Sequence, residues 1–208
     1  MWGGSITKLY PIVKRSIDFL LSLIAIVFLL PVFLLIAIAI KIDSKGPVIF
    51  KQKRIGENKK EFYILKYRSM RTDAPPNMPT HMLKSHEMLI TKFGHFLRKT
   101  SIDELPQLIN ILRGEMSIVG PRPALWNQYD LIAERDKYRA NNIRPGLTGW
   151  AQINGRDELP VNIKAKYDGE YAEKISFSFD IKVFVKTIFK VIMSDGVREG
   201  VGYTKSGE

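Results

Sequence analysis

The chain has no cysteine, which excludes disulfides and thiolate metal sites and argues against a secreted or extracellular protein. Histidine is nearly as scarce: His81, His86 and His95 stand at spacings no zinc-binding helix uses. Also missing are a Walker phosphate loop, a G-x-G-x-x-G after a strand and a G-x-S-x-G elbow. No segment is repetitive or of low complexity, and the aromatic residues do not follow a nucleic-acid-binding strand pattern. Acidic residues are in deficit, 21 against 32 Lys and Arg, for a net charge of +11. Anionic partners are therefore expected: acidic headgroups, phosphorylated small molecules or nucleic acid.

Charge is absent altogether from Phe19 to Ile40. As a helix this run would measure about 33 Å, enough to cross the hydrocarbon core of a bilayer. Lys8, Lys14 and Arg15 precede it, and Lys41, Lys45, Lys51, Lys53 and Arg54 follow. Basic flanks stay cytoplasmic, so a simple span would force one of them to the wrong side. A re-entrant helix that breaks at Pro31 and returns leaves both inside, and proline supplies the break by removing a backbone donor. That reading is favoured over a single span and over a buried core helix. Ala37-Ile38-Ala39 has the look of a signal-cleavage site, but it lies within the run, which is too long for a secretory core, so the segment is expected to be retained.

Beyond the run, 47–52 and 61–67 read as strands around a turn at Gly56-Glu57-Asn58. His81 to Leu97 has a helical pattern, with Gly94 a cap or break. Ala74 to Pro79 is an exposed loop. A short helix from about Glu104 to Arg113 should stop at Gly114. Met116–Val119 is extended, Ala124–Asn141 a polar helix, Arg144–Gly149 a loop and Trp150–Ile153 a short strand. The last helix, 181–193, carries Lys182, Lys186 and Lys190 beside a wide aliphatic and aromatic face. It is either an interfacial helix with lysines reaching headgroups or a surface helix packed on its own core.

Thr100 to Leu108 holds the most suggestive carboxylates. Ser101-x-x-Glu104 can be read as a capping box, although Pro106 would then cost a helical hydrogen bond. With Asp103 as N-cap, Pro106 falls where a missing donor is harmless. Asp103 would then be kept ionised at a helix end that also attracts anions, able to attack phosphorus, with Glu104 offering a hard oxygen to Mg²⁺. Arg98 lies five residues before Asp103, while Arg122, Arg144 and Arg156 sit in glycine-bearing loops. Two prolines stiffen the turn carrying Arg122, which favours aiming a guanidinium at phosphate oxygens. Each arginine alone is better read as a surface residue than as a ligand; it is the four together that point to phosphate.

The order of motifs resembles one family. Lys14-Arg15 precede an apolar segment. Lys66-Tyr67-Arg68-Ser69-Met70, Ser101-Ile102-Asp103-Glu104-Leu105-Pro106-Gln107-Leu108, Gly120-Pro121-Arg122-Pro123, Arg144-Pro145-Gly146-Leu147-Thr148-Gly149 and Asn154-Gly155-Arg156 follow. Together, over Lys14 to Gly196, they look like the bacterial sugar transferases, the monotopic phosphoglycosyl transferases that begin glycoconjugate assembly.

The resemblance implies an α+β, predominantly helical fold. A basic segment (1–15) leads to a re-entrant membrane helix (16–42, broken at Pro31), a cytosolic catalytic domain (43–196) with an amphipathic helix at 181–193, and a tail (197–208). It implies an enzyme on the cytoplasmic face of the bacterial inner membrane. Such an enzyme moves a sugar phosphate from a UDP-sugar to polyprenyl (undecaprenyl) phosphate and releases UMP. Asp103 would be the nucleophile and Glu104 the support for Mg²⁺. Lys66, Arg98, Arg122, Arg144 and Arg156 are candidates for holding phosphates, and Asp168 and Asp180 match acidic positions that can support the site or pair with arginines. Expected partners are the two substrates, the phospholipid bilayer and downstream glycosyltransferases, with no nucleic acid. The products would feed capsule, exopolysaccharide, O-antigen or glycoprotein glycan synthesis. The competing reading is a basic, membrane-resting scaffold without catalysis. One departure stands out: Leu30-Pro31 replaces the family's common Ser-Pro, so without the serine hydroxyl the break is either shallower or uses another partner for the freed carbonyl.

Overall fold

The computed structural model describes residues 6–75, 86–155 and 159–192. The first element, α1 (Ile6–Asp43), is one unbroken helix with Pro11 and Pro31 inside it. The expected separation into two helices at Pro31 is thus replaced by continuity. One proline removes one ladder bond and bends a helix, while intact bonds on either side carry the helix through. Only 11% of its most apolar window is buried, and Val27, Phe28, Leu34 and Leu35 are exposed, which sets aside a buried core helix.

Both ends of α1 dock on the same folded unit. At the N-terminal end Tyr10 and Lys14 donate to Asp180, at 2.6 and 2.5 Å. Arg15 donates to the Ile111 and Leu112 carbonyls at 2.6 and 2.8 Å, the orphan acceptors at a helix end. Asp18 accepts from Ser117 Oγ and the Ile118 amide. Lys14 and Arg15, expected as a basic membrane flank, are therefore turned into the protein. At the other end Ile36 and Ile40 pack with Tyr67 and Leu97, and Arg68 holds the carbonyls of Ser44 and Lys45.

The expected hairpin forms from β1 (Ile49–Ile55) and β2 (Glu61–Tyr67), antiparallel with Phe50 opposite Lys66. Its connection contains a 3₁₀ turn at Glu57–Lys59. Next come α2 (His86–Leu89) and α3 (Lys92–Lys99). Gly94 neither caps nor breaks α3 but lies inside it, because a Cβ there would stand 2.0 Å from the Ser69 carbonyl oxygen. Thr91 is the cap, accepting from the Gly94 amide.

α4 (Gln107–Arg113) ends at Gly114 in the left-handed conformation, as its sequence requires. Then follow β3 (Ser117–Val119), α5 (Tyr129–Asp136), β4 (Gly146–Thr148), α6 (Trp150–Ile153), α7 (Val161–Lys174) and α8 (Phe177–Ile192). Three expectations change here. The polar helix is shorter than 124–141, the 144–149 loop contains a strand parallel to β3, and Trp150–Ile153 is helical. β3 and β4 pair at Ser117–Gly146 and Val119–Thr148, a non-local ladder that neither three-residue strand announces alone. On α8, Asp180 and Val183 are buried while Phe177, Ile181, Phe184, Ile188 and Phe189 are exposed. Lys182 and Lys186 lie 5.0 and 5.5 Å from the Trp150 ring, so the lysines fold over protein and the apolar face is left outward. Val183 and Phe179 pack on the core as a surface helix would, while the wide outward apolar face is what an interfacial helix presents.

Candidate active site

The carboxylate motif does not start a helix as expected. Ile102–Glu104 form a 3₁₀ turn preceded by Ser101 at φ 57°, and Pro106 occupies the position before α4. Ser101 makes no capping bond, so both the capping box and the Asp103 N-cap give way. The left-handed Ser101 ends α3's approach abruptly and presses the acidic pair into the protein, where Asp103 is 8% exposed.

Cations converge on the pair from three elements. Lys66, near the end of β2, donates to Glu104 Oε1 at 2.7 Å. Arg122 donates to the same oxygen through Nη2 at 2.9 Å, and to Oε2 through Nη1 at 3.5 Å. Arg98, on α3, is hydrogen-bonded to Ser69 Oγ at 2.8 Å, and its charge acts on Asp103. Burial would raise the Glu104 pKa, but Arg122 and Lys66 overcome it and hold the carboxyl well below the usual range. For Asp103 burial dominates, the pull of Lys66, Arg98 and Arg122 only partly offsets it, and the carboxyl is pushed up to about 6. Among the described residues no hydrogen-bond donor is committed to Asp103. A buried carboxylate beside guanidinium and ammonium groups, yet unbonded, is equipped to act on a phosphate.

Asn110, fully buried on α4, braces the strand that carries Lys66. It accepts from the Leu65 amide at 3.0 Å and donates to the Tyr63 carbonyl at 2.8 Å. Nothing in its local sequence announces that role. Arg144 does not join the group; it pairs with Glu57 at 3.3 Å. Arg156 lies outside the described residues. Asp168 pairs with Arg135, whose Nε and Nη2 donate at 2.8 and 2.6 Å. Asp180 takes Tyr10, Lys14 and, at 2.5 Å, the Tyr171 hydroxyl. Neither acid contacts Asp103 or Glu104. Arg135, Tyr10 and Asp18 carry no sequence signal for these roles, since their partners lie 33 to 170 residues away; Tyr171 has Asp180 nine residues on, with no motif joining the two.

The fold is α+β, with one long exposed apolar helix compatible with a membrane anchor and an acid pair ringed by cations. The chain belongs to the bacterial sugar transferase family, whose model matches residues 9–194. It is 40% identical over 91% of its length to the UDP-glucose:undecaprenyl-phosphate glucose-1-phosphate transferase of Xanthomonas campestris pv. campestris, covering 41% of that protein. It is 36% identical over 92% of its length to the UDP-N-acetylgalactosamine-undecaprenyl-phosphate N-acetylgalactosaminephosphotransferase of Aeromonas hydrophila, covering 46% of it. A Bacillus subtilis protein named uncharacterized sugar transferase EpsL is 41% identical over 90% of this chain and is itself covered over 91%. The chain thus spans less than half of the length of the first two of these relatives.

Proposed function

We propose that this chain transfers a sugar phosphate from a UDP-sugar to undecaprenyl phosphate at the cytoplasmic face of the bacterial inner membrane, by way of a phosphosugar carried on Asp103. The observation that carries this reading is the Asp103–Glu104 pair with Lys66 and Arg122 on Glu104. Family membership and the names of the relatives support the reaction class.

An Asp103 carboxylate oxygen attacks the sugar-bearing phosphorus, and the bond from that phosphorus to the oxygen bridging to the uridine-bearing phosphate breaks. UMP leaves with the bridging oxygen. A phosphate oxygen of undecaprenyl phosphate then attacks the same phosphorus and frees the Asp103 carboxylate, so no net proton is needed. Lys66, Arg98 and Arg122 meet the charge that gathers on the phosphates. Glu104, pinned by two cations, keeps Arg122 aimed at the site.

Glu104 fits Mg²⁺ in the mode where a single carboxylate shares the ion with substrate phosphates, which leaves Asp103 to attack. Glu104 Oε2 takes only a 3.5 Å contact from Arg122, and Asp103 accepts no hydrogen bond among the described residues. Mg²⁺ held there would neutralise charge on the departing UMP.

Because one folded unit grips Lys14 and Arg15 at one end of α1 and Ile36 and Ile40 at the other, a simple span with its ends across the bilayer would tear one grip apart. A helix that stays on one leaflet, as the unbroken α1 packed along the folded unit can, keeps both. The outward apolar face of α8 would rest on the same leaflet.

The test is UMP release from a panel of UDP-sugars with Mg²⁺, with and without undecaprenyl phosphate, beside Asp103→Asn. Lipid-dependent turnover lost in the variant is expected. Turnover retained by Asp103→Asn would overturn the assigned nucleophile, and a scaffold role would be left if no UDP-sugar gave UMP.

A further inference from the structure

The Gly120–Ala124 turn carries Arg122 to Glu104, and its backbone is held at every carbonyl from Pro121 onward. The Gly146 amide donates to Pro121 O, Arg135 Nη2 to Arg122 O, Arg54 Nη1 to Pro123 O and the Ile55 amide to Ala124 O, each at 2.9 Å. Four donors from β4, α5 and β1 thus grip four successive carbonyls of a turn whose prolines donate nothing. Two of the four are arginine side chains, and bonds from charged donors are about twice as strong as neutral ones.

Arg135 is the less expected of the two. It is 4% exposed, and its charge is balanced by Asp168, itself 1% exposed. A buried ion pair adds little stability over an apolar pair of the same volume, so stability alone does not account for it. What the pair accomplishes geometrically is to fix a guanidinium whose second duty is the Arg122 carbonyl. On β1, Arg54 is steadied by Gln52 Oε1 at 2.6 Å while it holds Pro123.

Resting on the transferase reading above, we propose that Arg54 and Arg135 are positioning residues for the reaction, acting through Arg122. Neither touches the carboxylate pair. By holding the carbonyls of residues 122 and 123 from two different elements, they set where the Arg122 fork stands over Glu104 and the substrate phosphates. Asp168, matched above to an acidic position of the family, enters the site only through Arg135. A shift of about 1 Å in such a group can cost about 10²-fold in rate.

The experiment is a pair of double-mutant cycles on the full chain in detergent, measuring UMP release from the UDP-sugar the parent uses. Arg54→Gln removes one grip. Arg135→Lys keeps a charge for Asp168 but cannot serve both acceptors with a fork. Each is expected to lower kcat/KM about 10- to 100-fold. In an Arg122→Ala background each should cost less than about twofold, because the group being positioned is gone. Arg54→Gln, on a half-exposed residue, should melt within a few degrees of the parent, so the outcome does not hinge on Arg135 variants folding. Equal losses in both backgrounds, or parent-like kinetics in both single variants, would overturn the proposal and leave the transferase reading standing. A parent chain that releases no UMP from any UDP-sugar would overturn both.

Discussion

Two pairs of carboxylates can be compared in this molecule. Asp18 and Asp180 are 3% and 8% exposed, and Asp103 is 8% exposed beside a half-buried Glu104. By burial alone Asp103 looks like the first two. Their partners separate them. Asp180 accepts from two tyrosine hydroxyls and a lysine, and Asp18 from a serine and a backbone amide. Those acids are fully bonded and lock the start of α1 onto α8 and β3. Glu104 is bonded only to cations that a substrate phosphate would also meet, and Asp103 accepts nothing among the described residues. Where burial is matched by hydrogen bonds a carboxylate holds structure together; where cations surround it without closing on it, it is left available for chemistry.

The sharpest way to break this comparison is to neutralise one acid from each pair. Asp103→Asn should lower UMP release by at least about 10³-fold while leaving sedimentation with membranes intact. Its stability should move the other way. The Asp103 carboxyl titrates near 6 when folded against an ordinary 3.8, so its favourable contribution is complete below about pH 3.8 and is lost as the pH rises through 6. At pH 7.5 the asparagine variant should therefore be more stable by on the order of 2–3 kcal/mol, several degrees in Tm, with no gain at pH 4. Asp180→Ala should do the opposite. Stranding Lys14 in a buried site costs about 3–5 kcal/mol, seen as a large fall in melting temperature, and the surviving folded fraction should keep the parent's ionisation profile.

Smaller effects sharpen the contrast. Lys66→Met should cost about 10²-fold in kcat, because Glu104 loses one of the two cations that hold it down, with little change in Tm. In the parent, kcat/KM for the donor should fall about tenfold per pH unit below 6, as Asp103 takes up a proton. Smallest of all, Tyr67→Phe removes the 3.3 Å bond from its hydroxyl to the Phe33 carbonyl, two residues past Pro31. A loss of about 1 kcal/mol is expected, measured by denaturation in detergent. That hydroxyl comes from β2 and reaches the turn of α1 just past Pro31.

How much of this was legible in the sequence depended on the range of the interactions. The β1–β2 hairpin, the stop of α4 at Gly114 and the apolar helix follow from local pattern, and they formed. Asp103, Glu104, Lys66, Arg98 and Arg122 were all picked from their motifs, and the fold gathers their charges. The local geometry of the pair was misread because Ser101 takes a left-handed conformation, which no pattern of polar residues demands. Trp150–Ile153 reads as a strand by its aromatic and β-branched ends, but Gly149 and the neighbouring parallel pairing of β3 with β4 turn it into a helix. Arg144 sits in a motif as suggestive as that of Arg122, and only the fold shows it spent on Glu57. The brackets around the site, Asn110 on β2 and Arg135 on Arg122, join segments with no sequence signal between them.

The most direct measurement of the central claim is the intact mass of the purified chain after mixing with its UDP-sugar donor in the absence of undecaprenyl phosphate. The account expects a stoichiometric gain of one sugar phosphate, absent in Asp103→Asn and discharged when undecaprenyl phosphate is added. Steady turnover in the parent with no adduct under rapid quench, or an adduct that persists in Asp103→Asn, would contradict it.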